Sequence, residues 1–234
     1  MRPSSLFQGA RWRLWFAGIA LGLACIGASA QKPPDITAGE MALLPEYCPD
    51  TQTMSATDPR GSEKAARWVS ILGNAFWGLH HYCWGLIHVS RANQAGKSAL
   101  ARRGHLESAI NDYRYVLANS QPDFILLPEL YLRIGEAQME LLAYASAMES
   151  FRRSREIKPD YWPPYLRAAT VLTRLGKNAD ALAMLQEGMT RMPTERALID
   201  AYKRMGGNYA KFAQTLPAPA AASAPTPTAA ASSP

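Results

Sequence analysis

From Glu63 to Val89, the apolar residues Trp68, Ile71, Leu72, Ala75, Phe76, Leu79, Tyr82, Cys83, Leu86 and Val89 recur at steps of three and four. That period predicts a long amphipathic helix, because residues so spaced fall on one stripe of the helix surface. After a turn at Ala95-Gly96, the stripe Leu100, Leu106, Ala109, Ile110, Tyr113, Val116 and Leu117 predicts a partner helix ending before Asn119. Helical period returns over Pro128 to Leu142, Ala145 to Ile157, Pro163 to Leu175 and Ala179 to Arg191. A shorter pattern over residues 194–205 places Leu198, Ile199 and Tyr202 on one face. Alternating β-branched runs are absent, so the expected class is all-α. Upstream, five prolines between residues 31 and 62 leave room for one short helix, opened by the capping-box spacing Thr37-Ala38-Gly39-Glu40 and stopped by Pro45.

Sliding the chain against itself by 34 residues aligns Tyr131 with Tyr165, Gly135 with Ala169, Ala147 with Ala181, Phe151 with Leu185, Ser154 with Gly188 and Pro159 with Pro193. Size class is kept at each position. Small residues sit where two antiparallel helices must approach, a large apolar one fills the space beside them, and proline ends each unit. The units are therefore helical hairpins, and a period of this length signals a stack of them. Residues 63–124 form a degenerate first hairpin, since Gly85 and Ala109 lie 24 apart where Gly135 and Ala147 lie 12 apart. Residues 125–206 hold two units and a helix that covers the last apolar face. Residues 31–62 are an irregular N-terminal segment, and 207–234 are a Pro/Ala-rich tail expected to be disordered.

These features resemble the tetratricopeptide repeat (TPR) family, over two full units of the chain. The resemblance implies a solenoid of about three hairpins plus a capping helix, with disordered ends. It also implies a concave groove, lined by the first helix of each hairpin, that holds a peptide or helix of a partner protein. Carried over residue by residue, the groove face presents Glu129, Leu132, Glu136, Met139 and Glu140 in one unit, and Pro163, Leu166, Thr170, Thr173 and Arg174 in the next. Family members that clamp the C-terminal carboxylate of heat-shock chaperones use Lys, Asn and Arg here. Leu132, Glu136, Leu166 and Thr170 depart from that pattern, which argues against that ligand. A mixed acidic and apolar groove suits a basic or amphipathic segment; the plainer reading of Glu136 and Glu140 is a solvated face.

The N-terminus adds a compartment. Arg11 and Arg13 precede an apolar run from Leu14 to Gly27, and Ala28-Ser29-Ala30 supplies an A-x-A cleavage site, the order of a secretory signal peptide over residues 1–30. The run would span roughly 21 Å as a helix, against a hydrocarbon core of about 30 Å. Cleavage after Ala30 is the expectation; the alternatives are an uncleaved signal anchor and lipidation at Cys25. In a Gram-negative bacterium the destination is the periplasm. Such a compartment permits a disulfide between Cys48 and Cys83, which would close a loop of 35 residues; the alternative is two buried thiols.

Charge narrows the partners. Of the formal +6, three charges are Arg2, Arg11 and Arg13, so residues 31–234 carry only +3, with no concentrated basic face to suggest nucleic acid. Arg152, Arg153, Arg155 and Lys158 cluster late in a helix, where cations favour the dipole's negative end; contact with an anionic surface is the sharper alternative. The densest chemistry is Trp77, His80, His81, Cys83, Trp84 and His88, with Trp77, His81, Trp84 and His88 on one stripe. A helix apolar on most sides is usually buried, which makes these core residues. The competing readings are a metal or haem site using His81, His88 and Cys83, or an aromatic patch for a glycan or protein. No C-x-x-C-H, H-E-x-x-H, G-x-S-x-G, phosphate-loop or dinucleotide motif occurs, and Ala95-Gly96-Lys97-Ser98 follows a helix rather than a strand. The expectation is a non-enzymatic protein, with no cofactor, that binds proteins as a scaffold or assembly factor for a cell-envelope process. Membrane contact would come only through an uncleaved signal or a lipidated Cys25.

Overall fold

Hydroxyl caps and prolines set where the helices begin. In the computed structural model, which describes residues 35–216 apart from Ala56, Ala95 and Lys97, Thr37 and Glu40 cap each other's backbone and open α1 (Ala38–Ala42). Ser62 accepts from the Ala65 N–H at the start of α2 (Glu63–Leu72), and Ser98 does the same for Ala101 in α4 (Ala99–Ala118). Between them lies α3 (Leu79–Ala92). A proline stands in the first turn of α5 (Leu127–Glu140) and of α7 (Pro163–Arg174), where its missing N–H leaves no bond unmade. Then follow α6 (Tyr144–Ile157), α8 (Asn178–Arg191), α9 (Arg196–Arg204) and α10 (Tyr209–Ala213). The described residues are all-helical with no strand, and consecutive helices pack as pairs: α3 with α4, α5 with α6, and α7 with α8. The expected signal peptide over residues 1–30 and the part of the expected tail beyond Leu216 lie outside the described residues.

Two expectations need correction. The single long helix over 63–89 is broken: α2 ends at Gly73, whose φ of 66° lies in the left-handed region, and Gly73–Gly78 forms a 3₁₀ turn before α3 starts. The apolar spacing runs through the break because Leu72, Ala75, Phe76 and Leu79 enter the same core. At the other end, residues assigned to the tail from 207 include α10. Asn208 caps it, and Tyr209 and Phe212 pack against α9, with the Phe212 and Tyr202 ring centroids 5.8 Å apart.

Each hairpin closes on one contact. A methyl at Gly135 would lie 2.5 Å from the Phe151 ring, and one at Gly85 would lie 2.4 Å from the Tyr113 ring. Both rings are fully buried. Gly85 and Tyr113 are therefore the counterparts of Gly135 and Phe151, 12 residues further apart in sequence. The extra residues lengthen α4 and the connection before it. In the third hairpin the residues in register, Ala169 and Leu185, lie in one core, a larger small residue with a smaller large one. Within the second hairpin Ser154 Oγ donates to the Pro128 carbonyl at 2.7 Å, and Tyr165 OH of α7 donates to the carbonyl of Pro159, in the connection that follows α6, at 2.9 Å. One apolar cluster joins α2, α3, α4 and α5, a second joins α5, α6 and α7, and a third joins α7, α8 and α9.

The segment before α2 is tied to this stack. Cys48 and Cys83 form a disulfide with Cα atoms 5.9 Å apart, and both are fully buried. Arg91 grips the Glu40 carboxylate with two donors at 2.6 and 3.0 Å, holding Glu40 at a pKa of about 2. Trp68 Nε1 donates to Asp50 at 2.8 Å.

Candidate protein-binding groove

The first helices of the three pairs contribute equivalent positions to one face. Leu86 of α3, Glu136 of α5 and Thr170 of α7 correspond in the repeat register, as do Val89, Met139 and Thr173. Between α3 and α5, open toward Arg167 of α7, lies a cleft of about 350 Å³. Leu86 and Val89 give it apolar walls, Asn93 stands at its mouth, and Tyr113 of α4 reaches it from below. Tyr113 is fully buried and its hydroxyl has no hydrogen-bond partner among the described residues. Burial pushes its pKa well above the ordinary value.

The electrostatics differ from the acidic groove expected. Glu129 accepts from Tyr161 OH at 2.5 Å, from Arg133 Nε at 2.9 Å and from Tyr82 OH at 3.2 Å. Glu136 is shared by Arg133 at 3.2 Å and Arg167 at 2.7 Å. Glu140 pairs with Arg102 of α4 and lies 3.7 Å from Arg174. Burial alone would lower the Arg133 pKa, but Tyr82, Glu129 and Glu136 outweigh it and the value ends raised. Each groove carboxylate is thus consumed by arginine, and the surface is neither acidic nor a set of free solvated carboxylates.

Other expected groove residues also move. Leu132 and Met139 are buried at 4% and 5% exposure and pack in the core joining α5, α6 and α7; Met139 still borders the cleft. Leu166 is half-buried against the last core, and Thr170 donates to the Leu166 carbonyl at 2.9 Å. Arg174 stays exposed. Sequence reasoning missed Arg133, Arg167 and Tyr113. The signal was present for the first two, since Arg133 and Arg167 are 34 apart and Arg133 stands four after Glu129 and three before Glu136.

The histidine stripe faces α4. His81 Nδ1 donates to Asp112 Oδ1 at 2.8 Å, His88 Nε2 lies 3.9 Å from Asp112 Oδ2, and the Nδ1 atoms of His88 and His105 are 3.1 Å apart. Asp112 is fully buried, and burial raises its pKa against the pull of His81. Burial, helped by His81, lowers His80 to about 4, while its Nδ1 donates to the Trp77 carbonyl. The Tyr115 ring covers His81 at 3.8 Å between centroids. Trp77 leaves the stripe, because it lies in the 3₁₀ turn and packs with Phe76. Cys83 is bonded to Cys48 and so offers no thiolate. Among the described residues, no group of three or more His, Cys, Asp or Glu side chains is arranged to hold a metal ion. The basic run is engaged as well: Arg152 and Arg153 pair with Glu149 and Glu156, and Arg155 pairs with Glu187 and lies over the Tyr165 ring.

No family model and no curated protein matches this chain.

Proposed function

We propose that this chain is an exported, TPR-like solenoid of three hairpins and closing helices that binds another protein in the groove of α3, α5 and α7, as a scaffold or assembly factor for a cell-envelope process. The observation that carries the reading is convergence: positions equivalent in the repeat register border one open cleft, while Arg103, Arg152 and Arg153 of the second helices pair with carboxylates of their own helix. Packed helices hold that cleft in one shape before a partner arrives, which lowers the ordering cost of binding. The charged, apolar and small-residue order of residues 1–30 supports export, with the periplasm as destination, and a buried disulfide suits an oxidising compartment.

The test uses the full chain expressed in its native cells. Asn93→Trp fills the exposed mouth of the cleft, and Arg153→Trp adds the same bulk to the exposed side of α6. A protein that copurifies stoichiometrically with the wild type should be lost with Asn93→Trp and kept with Arg153→Trp. Retention of the partner by Asn93→Trp would remove the groove from the account.

A further inference from the structure

The groove holds more donors than its own carboxylates can use. Glu129 already accepts from one arginine and two tyrosines, and Glu136 is divided between Arg133 and Arg167. Among the described residues, Arg167 meets a carboxylate only through Nε, which leaves the paired Nη donors of its fork unused. Arg174 approaches Glu140 only at 3.7 Å, outside hydrogen-bond range. These two side chains are 44% and 40% exposed, whereas Arg133 is held between Glu129 and Glu136. Arg102, Arg133, Arg167 and Arg174 face Glu129, Glu136 and Glu140, which leaves a surplus of one positive charge along the face. Independently, buried Tyr113 borders the cleft and its hydroxyl has no partner among the described residues, an arrangement that is costly unless something accepts from it.

We propose that the occupant of the groove is an extended acidic segment of the partner protein, with carboxylates on Arg167 and Arg174 and an apolar side chain between Leu86 and Val89. This rests on the groove reading above and names its ligand. The geometry sets a spacing. Arg167 and Arg174 are seven residues apart on α7, a rise of roughly 10 Å, and an extended chain covers that in about three residues. Guanidinium forks select carboxylates by paired, planar donors, so a basic segment would meet repulsion and leave these donors unmade. An acceptor entering the cleft would also satisfy Tyr113.

The experiment follows fluorescence anisotropy of two labelled peptides on the purified full chain, one repeating Glu-Thr-Leu and the other Lys-Thr-Leu. The acidic peptide should bind, more weakly as salt rises, and the basic one should not. Arg167→Ala with Arg174→Ala should weaken the acidic peptide by about tenfold or more, with helicity by circular dichroism unchanged, because both side chains are exposed. Preference for the basic peptide, binding of neither, or an unaltered affinity in the double variant overturns the acidic assignment. Asn93→Trp separates this from failure of the groove itself. Basic-peptide binding that Asn93→Trp abolishes keeps the groove and discards the acidic ligand. Acidic-peptide binding that Asn93→Trp leaves intact discards both.

Discussion

Single residues carry the repeat, and two comparisons between hairpins show how. Leu142 adopts φ 61° at the end of α5, and Gly176, 34 residues on, adopts φ 72° at the end of α7. Both follow the same closing geometry, with Ala143 N–H donating to Gln138 and Lys177 N–H to Leu172, each at 2.9 Å. A left-handed conformation suits glycine and strains leucine, and Leu142 is 67% exposed, so little packing offsets the strain. Leu142→Gly should therefore stabilise the protein by about 1 kcal/mol, read from the urea midpoint. The second comparison concerns the helix contact. Gly135→Ala alone drives a methyl into the Phe151 ring and should cost about 1 to 3 kcal/mol. Adding Phe151→Leu recreates the Ala169 and Leu185 pairing of the third hairpin and should recover most of that loss. A double variant no better than the sum of its parts would contradict the equivalence. Both pairings of positions were legible in sequence, because the 34-residue offset aligns them by spacing alone. Asp112 was not, since its partner His81 is 31 residues away on another helix and no local pattern joins them.

At the scale of elements, α3 is the one that carries unusual chemistry on every side. It meets the disulfide through Cys83, α4 through its histidines and the cleft through Leu86 and Val89. Its sequence period correctly gave a buried amphipathic helix, but not where it started, because Gly73 interrupts the backbone without interrupting the apolar stripe. His80 makes α3 sensitive to acid. His80 is lowered to about 4 from an ordinary value of about 6.5, so the unfolded chain binds that proton more readily than the folded one. The stability it contributes is present above about pH 6.5 and is lost as pH falls toward 4, on the order of 3 kcal/mol in full. Asp112, whose pKa is raised, works in the opposite direction once pH nears the carboxylate range, so the net loss is smaller. The denaturation midpoint should fall between pH 7.5 and 5 in the wild type, and His80→Gln should flatten that slope; an unchanged slope would remove His80 from the explanation.

Across the described residues, the three apolar clusters follow one another along the chain and each draws on more than one helix pair or on a pair and its closing helix, so no hairpin is complete alone. The stack ends where α9 places Leu198 and Tyr202 over α7 and α8, and α10 extends that cover. Helix content, pairing and the closing helix were readable from periodicity. The character of the groove was not, because Leu132 and Met139 share the groove's spacing yet turn into the core, and because ion pairs between neighbouring helices cancel the acidity that Glu136 and Glu140 suggest. The claim that joins these scales is that a partner sits against α3, α5 and α7. A photo-crosslinking amino acid placed at Asn93 or Arg167, and for comparison at Glu107 or Arg153 on the second helices, tests it in intact cells. The account predicts a discrete crosslinked product from positions 93 and 167 and none from 107 and 153. Products confined to 107 and 153 would contradict it.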